Sequence, residues 1–135
     1  MSSSITTKTN KADIPWLANE LRSLYWGKTY TDEQVIKAVS NSLCFWVHRF
    51  EAEISEPIGF ARVLTDGVLI STITDFFVIR ECRRQGVGKA LMQYILQHDE
   101  VKKTICILAS RDAAKFYGKF GFVNVPDPVL GRPPQ

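Results

Sequence analysis

Arginines and glycines crowd the point where a strand-forming run gives way to a helix-forming one. In "DFFVIRECRRQGVGKALMQYIL", residues 75–96, the order is Arg80, Arg83, Arg84, Gly86, Gly88, with Lys89 next. A helix N-terminus offers backbone N–H groups without partners and the positive end of the helix dipole. Glycines there let an anion approach the backbone, which is the recipe for binding a phosphate or pyrophosphate. A plain strand-to-helix turn with glycines serving close packing is the competing reading. Two common anion motifs are excluded. The P-loop needs Gly-Lys-Ser/Thr, and here Ala90 follows Gly88 and Lys89. The dinucleotide fingerprint needs a third glycine, which is missing.

Other reactive side chains are scattered. Cys44, Cys82 and Cys106 are odd in number and widely spaced, so they form neither a metal pair nor a disulfide framework. A reducing, cytoplasmic compartment is expected. Cys82 lies beside Arg83, where a thiolate could be stabilised, but it is not read as a nucleophile. His48 and His98 each stand alone, and His98 at a helix end complements the dipole. Asp66 suits a turn, and Glu53 and Glu56 suit a solvated connection. No cluster suggests a metal. The net charge of +3 fits either a few extra surface lysines or one bound anion, and the arginines favour the anion.

The elements must position these groups. At 135 residues with 45% hydrophobic content, one domain with its own core is expected, spanning about 4–125. No apolar run approaches the ~20 residues of a membrane span, and residues 1–16 lack the apolar centre of a signal peptide. Periodicity predicts a short strand at 4–7 and a helix at 13–25 carrying Ile14, Leu17, Leu21 and Leu24. Thr31 with Gln34 is a capping-box signal for a second helix through about 39. Strands are expected at 43–50, 58–64 and 68–79, with "EAEISEP" as a polar connection and "TDG" as a hairpin turn. A helix at 87–97, a buried strand at 104–109, a short helix at 111–119 and a last strand at 121–125 complete the pattern. The tail "PDPVLGRPPQ", with four of the six prolines, reads as irregular. The order implies an α/β (α+β) fold. It has one mixed, mostly antiparallel sheet with helices on both faces and a parallel pair late in the chain.

"RRQGVG", residues 83–88, resembles the Arg/Gln-x-x-Gly-x-Gly/Ala signature of the GNAT superfamily of acetyl-CoA-dependent N-acetyltransferases. "DFFVI" upstream looks like the family's central strand, and "KALMQYIL" downstream like its pyrophosphate-facing helix. "ILASRDAAKFYGKFGFV", residues 107–123, resembles the strand, helix and closing Gly-Phe that follow. The resemblance implies a splayed strand pair that binds acetyl-CoA. Backbone amides of Gln85, Gly86, Val87, Gly88 and Lys89 would hold the pyrophosphate, with Arg83 and Arg84 at its rim. Backbone groups of Phe77 and Val78 would meet the pantetheine arm and the thioester carbonyl. Ser110 stands where many members place an asparagine that contacts the cofactor. Many members carry glycine at the position of Arg84, which still supplies its N–H. Tyr117 matches a tyrosine near the sulfur and would either act as the acid or pack on the core with its hydroxyl on a carbonyl. Asp75 matches an acidic position and would be either the base or a structural carboxylate.

The resemblance thus implies acetyl transfer to a primary amine by direct attack, without an enzyme acyl intermediate or a metal. The partners are acetyl-CoA and a small-molecule amine more readily than a protein. No nucleic acid or membrane is expected, and a monomer or homodimer is. A non-catalytic acyl-CoA sensor is the alternative. Tyr25, Trp26 and Tyr30 in "LRSLYWGKTY" read as core packing or, failing that, as an aromatic wall for the acceptor.

Overall fold

Side-chain alternation along the strand Leu43–Glu51 dictates the layering. Phe45 and Val47 are buried on one face, and Cys44 and Trp46 on the other. A strand apolar on both faces needs cover on both. The computed structural model describes residues 2–110, 114–126 and 129–135. In it, β1 (Ser2–Thr6), β2 (Leu43–Glu51), β3 (Ile54–Thr65), β4 (Ile70–Val78) and β5 (Ile105–Leu108) form one sheet in that order. The first three pairings are antiparallel, and β4 with β5 is parallel.

Helices α1 (Ile14–Arg22) and α2 (Asp32–Ser40) cover one face, where Leu17, Leu21 and Val35 meet Trp46, Phe60 and Phe77. Helix α3 (Val87–Gln97) lies on the other as the β4–β5 crossover. There Leu91, Met92 and Ile95 meet Phe45, Val63 and Ile73. A short helix, α4 (Ala114–Gly118), follows β5. The Thr31–Gln34 capping box is present: Gln34 N–H donates to Thr31 Oγ1 (3.1 Å) and Thr31 N–H to Gln34 Oε1 (2.9 Å). Among the described residues, no helix is long and apolar enough to cross a membrane.

Several expectations are corrected. The first helix stops at Arg22 rather than 25, because residues 23–30 fold back in turns on its end. Gly27 permits this, since a Cβ there would stand 2.2 Å from the Leu21 carbonyl oxygen. "EAEISEP" is not a connection. Ala52, at φ +54°, closes a tight hairpin whose strands pair Arg49 with Glu56 and Glu51 with Ile54. The Arg49–Glu56 ion pair lies directly across that ladder and supports it, which a reading of polarity alone overlooks. Pro57 is accommodated beside a register shift, where the ladder does not need its missing N–H. β4 begins at Ile70 rather than 68, because Asp66 Oδ1 accepts the N–H groups of Val68, Leu69 and Ile70 and holds them off the ladder.

The last strand, 121–125, does not form. Gly121 turns at φ +88°, Phe122 N–H bonds back to the Tyr117 carbonyl (3.4 Å), and the Phe122 ring packs on Tyr117. Val123 and Val125 then point into solvent with no strand beside them. The sheet therefore has five strands among the described residues, not six. The expected start of the last helix, including Arg111, lies outside the described residues, as do positions 127 and 128 of the tail.

Candidate functional site

The central strand changes phase partway along. Across β3 and β4, Arg62 faces Thr74 and Phe60 faces Phe77, so one residue on β3 stands opposite two on β4. This is a β-bulge, and Asp75 adopts φ +54° within it. Before the bulge, Ile105 N–H reaches the Leu69 carbonyl (2.9 Å). By alternation, the backbone groups of Ser71 and Ile73 also face β5. After the bulge, Ile79 N–H donates to the Ile58 carbonyl (2.8 Å), so Phe77 is turned toward β3. Phe76 and Val78 are the residues turned away from it.

The parallel pairing with β5 ends at Ile73–Leu108. From Thr74 onward β4 has no partner on that side among the described residues. The N–H groups of Phe76 and Val78 thus face a gap, where buried backbone polar groups need a partner. The Val78 carbonyl has one, because Arg83 Nε donates to it (3.0 Å). Phe77, singled out from sequence with Val78, instead pairs with Phe60 and buries its ring against Trp16 (5.8 Å). Sequence reasoning missed Phe76, because the bulge that turns its backbone to the gap has no signature in residue type.

The gap opens onto the start of α3. Gly86 is the residue before the first helical position, at φ +83° and with open space where a Cβ would stand. The first bond of the helix runs from Ala90 N–H to the Gly86 carbonyl (3.0 Å). Among the described residues, the amides of 86–89 have no acceptor, which is the arrangement an anion can fill. Arg84 is held at φ +63°, a conformation that favours glycine and exposes its side chain at the rim. Lys89 is exposed beside it, while Gln85 is tied to the Glu81 carbonyl (3.2 Å) and Val87 is buried in the core. A Cβ at Gly88 would stand 3.4 Å from Phe116 Cζ and 3.9 Å from Val78 Cγ2. The α3 start, α4 and the end of β4 therefore converge. These residues fit a pyrophosphate with a thioester arm running into the gap. Ser110 is exposed just beyond β5.

Tyr117 sits on α4 with its ring edge-on to Phe76 (6.0 Å) and Phe116 (5.2 Å). Burial, and then the nearby Tyr25, push its phenol above the ordinary 10, so it keeps its proton at neutral pH. Asp75 is buried beside the core, with its side chain 2% exposed. Oδ1 accepts from Trp26 Nε1 (2.8 Å) and Oδ2 from Arg62 Nε (2.7 Å). Arg62 in turn donates to Ser42 Oγ (3.2 Å). The bulge is what aims this carboxylate at Arg62 and the α1–α2 face. Without the extra residue it would follow Ile73 into the apolar layer under α3. Burial nearby pushes the Cys44 thiol up to about 11 and raises Tyr30 above its ordinary value.

Arg62 and the tie to Trp26 were missed from sequence. A lone arginine in "IGFARVL" opposite a lone aspartate in "ITDFFV" was the available signal. His48 is bound to Asp13 (2.7 Å) on β2, and His98 closes α3 by accepting Glu100 N–H (3.1 Å). Neither meets Tyr117. Cys82 is buried, with Arg49 donating to its sulfur (3.5 Å). Among the described residues, no three metal-binding side chains gather.

Comparison with known proteins gives these findings. Residues 41–124 match the model of a family described as "Acetyltransferase (GNAT) domain". A solved structure of a protein assigned to the GNAT family from Xanthomonas campestris pv. campestris superposes at TM-score 0.88. It is 28% identical, over 98% of this chain and 93% of that one. An uncharacterized N-acetyltransferase of Pyropia yezoensis is 28% identical over 111 residues, 81% of this chain and 64% of the relative. The curated relatives are longer: this chain spans between 39% and 64% of each. The N-acetylglutamate synthase of Neisseria gonorrhoeae, solved with coenzyme A and N-acetyl-glutamate, shares the fold at TM-score 0.68. It is 17% identical, over 89% of this chain and 28% of that one.

Proposed function

This chain belongs to the GNAT family of acetyltransferases, and from that premise we propose that it moves an acetyl group from acetyl-CoA to the primary amine of a small molecule by direct attack. One observation carries the reading. Two sets of backbone donors without an acceptor among the described residues, the amides of 86–89 and those of Phe76 and Val78, lie at the two ends of one gap. The first set suits the pyrophosphate, helped by Arg84 and Lys89. The second suits the pantetheine amides, which complete the sheet edge as an added strand does. Val78 N–H is the donor for the oxyanion that forms when the amine attacks the thioester carbonyl.

The amine nitrogen forms its bond to the acetyl carbon, the carbon–sulfur bond breaks, and the sulfur needs a proton to leave as a thiol. Tyr117 gives that proton and regains one from solvent, balancing the proton the amine nitrogen loses. Its raised pKa means that the phenol still carries its proton when the thiolate forms. Asp75 serves as a structural carboxylate in this reading: both oxygens already accept, and reaching them would mean displacing Trp26.

Calorimetry with acetyl-CoA, followed by a thiol-release assay over an amine panel, tests the proposal. Binding with release on at least one small amine is expected. Binding without release across the panel would fit the non-catalytic sensor instead, and no binding at all would remove both.

A further inference from the structure

The two edges of the sheet are unlike. β1 carries "SSSIT", whose hydroxyls suit an edge left in water. β5 carries "ICIL" and stands at the other end of the strand order, with no strand beyond it among the described residues. Protein sheets blunt such an edge with a charge, a proline or a bulge, or cover it. Residues 104–110, "TICILAS", hold neither a charge nor a proline. Ile105 N–H bonds toward β4, so by alternation the N–H and C=O groups of Cys106 and Leu108 point outward. The side chains of Cys106 and Leu108 pack on the α3 layer, whereas Ile105 and Ile107 lie on the open face, 71% and 39% exposed. Beside them are Ile70, which pairs with Ile105, and Leu64, which pairs with Thr72. A parallel pair is ordinarily covered on both faces. Here α1 and α2 leave one face bare, and its aliphatic patch is of the kind that marks a contact surface.

We propose that β5 pairs antiparallel with β5 of a second copy of this chain, about a two-fold axis that runs perpendicular to the sheet and passes between the two Cys106 residues. Three features select that occupant. An open strand edge is satisfied by another strand, and an antiparallel pair about a two-fold axis is self-complementary. Cys106 N–H then reaches the Cys106 carbonyl of the other copy, and Leu108 N–H reaches its Thr104 carbonyl. The axis also keeps each face on its own side. Ile105 of each copy stands opposite Ile107 of the other, so the isoleucines of both copies close into one cluster with Ile70 at its rim. Finally, charge permits the contact. Lys103 falls opposite Ala109, which puts the two Lys103 residues about 20 Å apart along the ladder, beyond the screening length of physiological salt. The two sheets become one, with α3 of both copies on the same face.

Sedimentation velocity on the full chain at about 100 μM, above the micromolar Kd that suits so small a contact, should show a dimer. Ile105→Lys places a charge beside the axis, at a position already in water. It should keep the wild-type circular dichroism spectrum and weaken association by at least about 100-fold. Val125→Lys, in the apolar tail, should sediment as wild type does. Amide exchange read by NMR locates the contact: Cys106 and Leu108 should exchange at least about tenfold more slowly in wild type than in Ile105→Lys. A monomeric wild type overturns the inference. So does a dimer that Ile105→Lys leaves intact, or one that Val125→Lys dissolves. Equal exchange of those two amides in wild type and Ile105→Lys also overturns it; slow in both, it would assign the edge to this chain's own tail.

Discussion

The two sides of the gap are made of different material. The side we assign to the donor is main chain: amides at the start of α3 and along the edge of β4 beyond its pairing with β5, exposed by glycines and by the departure of that strand. The side we assign to the acceptor is side chains from separate segments: Trp26 from the α1–α2 connection, Arg62 from β3, Asp75 from β4 and Tyr117 from α4. Main-chain recognition depends on chain path, so it tolerates most changes of residue and fails only where the path or the approach is blocked. Side-chain recognition fails whenever one member of the set is removed. One side can therefore stay constant across chemistries while the other varies.

Four substitutions sharpen or break that contrast. Arg62→Ala should act most strongly, since it leaves the Asp75 carboxylate buried and without its charge partner. A loss of about 3–5 kcal/mol in unfolding free energy is expected by denaturant titration. A variant as stable as wild type would show that the node on the acceptor side holds nothing. Gly86→Asp puts a negative group at the open approach to the amides. Calorimetry should show acetyl-CoA affinity falling by at least about 100-fold with the circular dichroism spectrum retained. Undiminished affinity would mean the main-chain cradle is not where the diphosphate sits.

Tyr117→Phe should lower kcat by about 100-fold with little change in cofactor affinity. In wild type the alkaline loss of turnover should begin above pH 10, because burial keeps the phenol protonated beyond its ordinary range. The unfolded chain releases that proton first, so this group's share of stability also declines as pH climbs past 10. Equal kcat in the phenylalanine variant removes Tyr117 from the acid role. Arg84→Gly should act least. The rim loses one charge, weakening affinity a few-fold at low salt, while relief of the φ +63° conformation keeps the change in stability under about 1 kcal/mol. An effect as large as that of Gly86→Asp would place recognition in the arginine side chain and erase the contrast.

The donor side was legible in the sequence because glycines and cations at a strand-to-helix junction have few other uses, and "RRQGVG" carried both. Helix α3 and the capping box of α2 were legible because local spacing creates them. The acceptor side was not. Arg62 and Asp75 lie 13 positions apart and Trp26 and Asp75 lie 49 apart, so neither pairing leaves a local pattern. The bulge escaped because aspartate in a left-handed conformation looks like any other strand aspartate. The expected strand at 121–125 failed for a related reason: alternating apolar residues become a strand only beside a partner, and the turn at Gly121 carries them away from one.

The bulge also gives the strand one residue of slack. Delete Asp75, and the ladder closes into a regular one: Phe76 falls opposite Ala61, while Phe77 and Val78 keep their partners and their faces. The frame survives such a loss, and what disappears is the carboxylate shared by Arg62 and Trp26. An extra residue in the solvent-facing turn at 66–69 would likewise leave every downstream amide where it is.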